Sequence, residues 1–202
     1  MVYALTKIFI FPILRIFVKR IRGAQNLPKK GAFILATNHQ GTIDGVLILY
    51  AIASCLNRKT HVFIIKEHFT NFFTRFIFKT IYQNIKINGS LDIGFNYLKN
   101  GEIICIFPEA QRTRTGKLQK TERTGLGVMA LISKAPVVPA GIKGSYEFWP
   151  AGKKLFRPKR MLEMNIGKPM FFSKKLNKKN ARYVIKAVMK RIANLAGQDY
   201  QY

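Results

Sequence analysis

His39 and Asp44 stand five residues apart in Asn38-His39-Gln40-Gly41-Thr42-Ile43-Asp44, between two apolar runs. Glu109 and Arg112 stand three apart in Phe107-Pro108-Glu109-Ala110-Gln111-Arg112-Thr113, again straight after an apolar run. An imidazole oriented by a carboxylate can act as a general base near neutral pH. A guanidinium can grip a phosphate in a planar fork. Together these groups supply a base, its orienting carboxylate and an anion-binding cation. That set suffices to deprotonate a hydroxyl on a phosphorylated substrate while it is acylated. No protein nucleophile is evident: the chain has no G-x-S-x-G, and Cys55 and Cys105 both lie among apolar residues. The attacking group is therefore expected to belong to the substrate.

The elements around these residues must hold them in place. Five residues along a straight helix turn a side chain by about 140°, so His39 and Asp44 meet only if a turn intervenes. Gly41 can supply it, and Thr42 is a suitable N-cap for a helix beginning at Ile43. Asp44 then falls in the first helical turn, where a carboxylate is favoured. The bland alternative makes Asn38, Thr42 and Asp44 turn caps and His39 incidental; the second motif weighs against it. There, Pro108 ends a strand and stiffens the turn. Glu109 is expected to accept hydrogen bonds from substrate hydroxyls, and Arg112 to hold a phosphate. Arg114, Lys117, Lys120 and Arg123 make the following loop basic. Arg123 is the best placed of them, because a helix begins at Thr124-Gly125 and its first N–H groups favour anions.

The chain has 202 residues, long enough for one domain with a real core. Thirty-five Lys and Arg against nine acids leave a net charge of +26. Such a field attracts nucleic acid, anionic lipid or phosphorylated ligands without choosing among them. No CxxC or clustered ligand set points to a metal, and His61 and His68 read as structural or surface residues. The two cysteines read as buried free thiols. Apolar runs of strand length at Ala32–Thr37, His61–Lys66, Ile103–Phe107, Val137–Ile142 and Met161–Ile166 alternate with helical patterns. The helical patterns cover Ile43–Asn57, His68–Tyr82, Leu91–Lys99 and Gly125–Lys134. This alternation predicts an α/β fold with a central, largely parallel mixed sheet flanked by helices. Ligands bind such sheets beyond the carboxyl ends of the strands, which is where both motifs fall. A last helix carries the apolar stripe Ala181, Val184, Ile185, Val188, Ile192 and Leu195. Its cationic row, Arg182, Lys186 and Lys190, reads as a solvated face. Phe69, Phe72, Phe73, Phe76 and Ile77 crowd the second helix, which reads as core-facing; the alternative is that part of this face lines an acyl groove or touches the membrane.

Residues 1–22 are expected to form an amphipathic helix at a membrane interface. The longest uncharged run there, Ile8 to Leu14, is far shorter than the roughly 20 apolar residues a bilayer span needs. Lys7, Arg15, Lys19 and Arg22 share one face, and Ile10, Ile13, Leu14, Phe17 and Val18 populate the rest. Pro12 should kink it. The alternative is a terminal helix packed on its own domain.

The ordered set of motifs resembles the glycerolipid acyltransferase family, which contains the 1-acylglycerol-3-phosphate acyltransferases. The family's N-H-x4-D is matched by Asn38, His39 and Asp44, and its F-P-E-G-T-R-S by Phe107, Pro108, Glu109 and Arg112. Arg123-Thr124-Gly125 resembles a later K-x-G. Ala135 to Pro139 resembles the family's apolar strand with a Pro, and Arg22 to Pro28 its entry segment. Order and spacing agree from about residue 22 to about residue 145. Ala110 and Gln111 stand where the family has Gly and Thr; Ala is a small change unless the position needs φ > 0. The stretch Tyr82 to Gly89 lacks the family's phosphate-binding Arg, and Lys86 is the substitute available.

The resemblance implies an acyltransferase domain over residues 23–202. It implies acyl transfer from a thioester to a lysophospholipid hydroxyl, above all from 1-acyl-sn-glycerol-3-phosphate to phosphatidic acid in phospholipid biosynthesis. His39 and Asp44 are then catalytic, and Glu109, Arg112, Arg123 and Lys86 bind the acceptor. No cofactor is implied; acyl-CoA or an acyl carrier protein is the co-substrate. The expected partners are that donor, lysophosphatidic acid and an anionic bilayer surface, without nucleic acid. The expected location is peripheral or monotopic on the cytoplasmic face of a membrane. Other acceptors, such as glycerol-3-phosphate or another lysolipid, fit the same chemistry. A silent anionic-lipid-binding protein is a rival of another class.

Overall fold

The computed structural model describes residues 6–65, 85–87 and 91–200. A π-helical turn, Thr6–Ile10, leads into α1 (Phe11–Phe17) and directly into β1 (Val18–Arg22). Then follow β2 (Phe33–Thr37), α2 (Asp44–Cys55), β3 (Thr60–Ile65) and β4 (Ile85–Ile87). After these come α3 (Asp92–Lys99), β5 (Ile103–Ile106), α4 (Gly125–Ser133) and β6 (Val137–Lys143). The short α5 (Ser145–Phe148), β7 (Leu162–Ile166) and α6 (Lys178–Ala196) complete the fold.

The strands form one mixed sheet in the order β1-β7-β6-β2-β5-β3-β4. β6, β2, β5, β3 and β4 run parallel, whereas β7 pairs antiparallel to β6 and carries β1 parallel to itself. Every residue of β2 and β5 is buried, as expected of parallel strands covered on both faces. One face packs against α1 and α2 around Phe33, Leu35, Leu47 and Ile48; the other packs against α4 and α6 around Ile34, Ile104, Met129 and Val188. Each such fully buried aliphatic side chain contributes about 1.5–3 kcal/mol. Pro139 lies inside β6 without breaking it. Its carbonyl accepts the Gly167 N–H at 2.8 Å, and a strand residue's N–H and C=O point the same way. The missing donor therefore faces the sheet just past the end of β7, and the ladder to β2 loses nothing.

The five apolar runs, the helix starts near residues 43, 91 and 125, and the C-terminal stripe correspond to observed elements. The N-terminal expectation needs correction. Its helix ends at Phe17, and residues 18–22 form an edge strand instead. Arg20 and Lys19 reach Glu163 on β7 at 2.6 and 3.1 Å, a non-local partner that helical spacing does not reveal. These cations and the bonds they donate hold the Glu163 carboxyl below its ordinary value, against the opposing effect of burial. The helical segment formed by the π-helical turn and α1 is also double-sided. Phe11 and Leu14 are buried in the domain, while Ile8, Phe9, Ile13 and Ile16 are exposed. Among the described residues no helix is long and apolar enough to cross a membrane. Cys55 is exposed, not buried as expected; Cys105 is fully buried, and burial pushes its thiol up. His61 is buried, stacked on Tyr97 at 3.7 Å and hydrogen-bonded to Glu102. The expected helix at 68–82 with its phenylalanines, and Lys66, lie outside the described residues.

Candidate active site

β2 and β5 are neighbours in register, Phe33 opposite Ile103 through Ala36 opposite Ile106. Their carboxyl ends therefore deliver His39 and Glu109 side by side, although 70 residues separate them. The His39 N–H donates to Glu109 Oε1 at 2.8 Å. The His39 carbonyl accepts the Thr113 N–H at 2.9 Å. Two loops of distant sequence are thus laced together around one residue.

His39 Nδ1 lies 2.8 Å from Asp44 Oδ2. A carboxylate can only accept, so Nδ1 carries the proton and Nε2 is left as the basic nitrogen. Asp44 is the first residue of α2 and fully buried. Its Oδ2 also accepts the N–H groups of Gln40 and Gly41, at 2.7 and 2.8 Å. Three donors and the helix N-terminus stabilise its negative charge. The turn between the two residues depends on Gly41, since a Cβ there would sit 2.2 Å from the Ser145 carbonyl oxygen. Asn38 locks the same turn to β6: its amide donates to the Ile142 carbonyl at 2.9 Å, and its own oxygen accepts the Ile142 N–H at 2.7 Å.

Thr42 does not cap α2, contrary to expectation. The N-cap position is Ile43, which makes no side-chain capping bond. The Thr42 hydroxyl instead accepts a hydrogen bond from Arg112 Nη1 at 3.0 Å, and its N–H donates to the Trp149 carbonyl at 2.9 Å. Thr42 thereby tethers the guanidinium to the turn that carries His39.

Glu109 also differs from expectation. It is 7% exposed, and its two oxygens accept backbone N–H groups, Oε1 from His39 and Oε2 from Gln119 at 2.8 Å. Here the carboxylate joins loops; it does not stand free for substrate hydroxyls. Burial pushes its pKa up from 4.5 to about 7, with the negative charge of Asp44 adding to the effect and the two backbone bonds opposing it.

The loop after Glu109 is braced in several places. Thr121 Oγ1 donates to the Pro108 carbonyl at 2.8 Å. Gln40 and Gln198 both donate to the Gly116 carbonyl, at 2.8 and 2.9 Å. Tyr146 Oη donates to the Arg114 carbonyl at 2.8 Å. Ala110 has φ 63°, a left-handed conformation that favours glycine. The departure from Gly at this position is therefore a strained one, of the kind that the resemblance makes relevant.

The structure brings together His39, Asp44, Glu109 and Arg112. Arg123 stands exposed at the base of the loop, two residues before α4. Lys86 belongs to the edge strand β4, separated from β5 by β3; its side chain lies outside the described residues. Sequence reasoning placed Phe107 in the motif without giving it a task; its ring stacks on the His39 imidazole at 3.8 Å and 13°. Sequence reasoning also missed the task of Gln40, which bonds both to Asp44 and to Gly116. Phe107 had a signal, an aromatic at the end of an apolar strand immediately before the Pro-Glu step; Gln40 had none.

By its sequence the chain is an acyltransferase. The sequence model described as Acyltransferase matches residues 18–143. The chain is 30% identical over 156 residues to a 1-acyl-sn-glycerol-3-phosphate acyltransferase of Bacillus subtilis (strain 168), covering 75% of this chain and 73% of that protein. It is 26% identical over 185 residues to an uncharacterized protein of Mycobacterium tuberculosis, covering 79% of this chain but 47% of the other. The chain thus spans about half the length of that mycobacterial relative. The crystal structure of the 1-acyl-sn-glycerophosphate acyltransferase PlsC from Thermotoga maritima has the same fold, with a TM-score of 0.69 at 22% identity over 94% of this chain and 77% of that one. The chain belongs to the glycerolipid acyltransferase family.

Proposed function

We propose that this protein transfers a fatty acyl group from a thioester to the free hydroxyl of 1-acyl-sn-glycerol-3-phosphate, giving phosphatidic acid. The observation that carries the chemistry is the His39 Nδ1–Asp44 Oδ2 bond of 2.8 Å, which holds the proton on Nδ1 and leaves Nε2 as the basic nitrogen. The name of the Bacillus subtilis relative supports the choice of acceptor.

His39 Nε2 takes the proton of the acceptor hydroxyl as that oxygen attacks the thioester carbonyl. Asp44 stabilises the imidazolium that forms. The tetrahedral intermediate collapses with cleavage of the C–S bond. The departing thiolate receives the proton from Nε2, which restores neutral His39. Phe107 keeps the imidazole plane fixed during both transfers. Arg112 holds the acceptor phosphate from the Thr42 side, and Arg123 adds a second positive charge at the loop base. Glu109 keeps the two loops in register. The donor is acyl-CoA or an acyl carrier protein. The protein works at the cytoplasmic surface of a membrane, supported by the exposed apolar row Ile8, Phe9, Ile13 and Ile16 and the cations that follow it.

The test is thiol release by the full chain in anionic lipid vesicles, with lysophosphatidic acid and either donor, beside His39→Ala. Release that requires both substrates and vanishes in the variant is expected. Release from donor alone, or equal release by the variant, overturns the reading.

A further inference from the structure

Between α5 and β7 the chain runs through Lys153-Lys154-Leu155-Phe156-Arg157-Pro158-Lys159-Arg160, with five cations, two large apolar residues and no acid. Residues 152–160 are exposed throughout, and Leu155 is 84% exposed. An aliphatic side chain held this far into solvent has no packing role in the monomer. The loop carrying it is nonetheless well tied down. The Arg157 N–H donates to the Phe148 carbonyl at 2.7 Å, and Trp149 Nε1 donates to the Lys153 carbonyl at 2.8 Å. The Phe156 ring packs against Phe148 at 5.1 Å, Trp149 at 5.7 Å and Phe17 at 5.8 Å.

The contact with Phe17 places the loop beside the end of α1. Two further bonds fix this position, from Arg160 Nε to the Val18 carbonyl at 3.2 Å and from the Met161 N–H to the Phe17 carbonyl at 3.1 Å. α1 carries exposed Ile13 and Ile16. Two elements remote in sequence thus set apolar side chains amid cations next to each other. The loop also begins at the catalytic turn, where Trp149 accepts the Thr42 N–H and Gly41 bridges to Pro150.

We infer that loop 151–160 is a second membrane-docking element, which inserts Leu155 beside α1 and sets its cations against anionic headgroups. The occupant is the surface of an anionic bilayer. Cations near such a surface strengthen partitioning by roughly fivefold each, and buried apolar side chains add to this. The charges alone would also suit an acidic protein partner; the exposed Ile13 and Ile16 of the adjoining α1, which extend the apolar surface beyond the loop, favour the bilayer. Docking by both elements holds the protein at two points, which fixes its orientation as one helix alone does not. Because the loop starts at the His39–Asp44 turn, that orientation brings the site to the headgroup layer where a lysolipid presents its hydroxyl.

The inference extends the surface-bound reading of α1, and its test needs no turnover. Flotation of the full chain is measured with phosphatidylcholine vesicles, with and without phosphatidylglycerol. The variants are Leu155→Glu and the pair Lys153→Glu, Lys154→Glu. Binding that depends on phosphatidylglycerol and falls by about tenfold or more in each variant, at unchanged melting temperature, is expected. Unchanged flotation in the variants overturns the inference, as does parent binding that ignores the anionic lipid. So does a loop that proves to bind an acyl carrier protein, with both variants losing that protein but not the vesicles. Failure here leaves the thiol-release result standing, and failure of thiol release leaves the docking result standing.

Discussion

The two halves of the site are built differently. The turn from Asn38 to Asp44 is closed by buried polar bonds: one carboxylate oxygen serves three donors, and Asn38 pairs with β6 like an extra strand residue. The loop from Ala110 to Arg123 keeps its cations in or near solvent and is held mainly through its backbone, by Gln40, Gln198, Tyr146 and Glu109. Proton transfer needs a fixed tautomer and a fixed ring plane, which buried bonds in a low-dielectric setting provide. Gripping a phosphate needs reach and charge, which an exposed loop provides. The first half should therefore fail abruptly when altered, the second by degrees.

The largest expected effect tests the first half. His39→Ala should lower kcat by about 10²–10⁴-fold with little change in the acceptor KM. A loss confined to KM would mean that the imidazole binds substrate without acting as a base.

Glu109 joins the two halves, and its titration measures the strain of doing so. Below pH 4.5 its carboxyl is neutral in both folded and unfolded chains. Between 4.5 and about 7 the unfolded chain sheds the proton while the folded protein keeps it. Stability from this group therefore falls as pH rises through that window, by roughly 3 kcal/mol in all at about 1.4 kcal/mol per unit. Glu109→Gln stays neutral. Denaturant unfolding of both proteins should show the parent losing ground to the variant from pH 4.5 to 7, then holding level. A parent that gains instead would mean that the two backbone bonds outweigh burial.

Arg112→Lys sharpens the contrast from the second half. A point charge loses the planar fork and the geometry of the Thr42 bond, so the acceptor KM should rise by about tenfold while kcat changes little. A collapse of kcat would show that the loop is as tightly coupled to the base as the buried turn is.

The smallest expected effect is a gain. Ala110→Gly should relieve left-handed strain worth about 1 kcal/mol, raising the melting temperature by about 2–4 °C. A fall would show that the loop tolerates its conformation without strain.

Much of the frame was legible in the chain. Apolar runs such as 33–36 and Ile103–Ile106 announce buried strands because every side chain in them is apolar, and α6 repeats its stripe over about four turns. β1 was not legible. Val18–Arg22 alternates with charge and follows a helix without a break, so only its pairing with β7 and the Glu163 partner make it a strand. The short β4 gave too few residues to show a period. In the site, Asp44 and His39 could be paired from spacing and a glycine, because both lie in one turn. The tasks of Thr42 and Glu109 could not, since their partners lie in other segments.

The alternation of strands and helices, the strand ends at which chemistry falls, and the His–Asp pair all follow from the order of the amino acids. These depend on local periodicity and on residues within one turn of each other. The packing of distant segments settles that Glu109 braces His39, that Thr42 holds Arg112, that Ala110 turns left-handed, and that loop 151–160 lies beside α1. Each of these rests on which strands are neighbours and on what burial does to a charge, quantities that exist only once segments far apart along the chain have packed together.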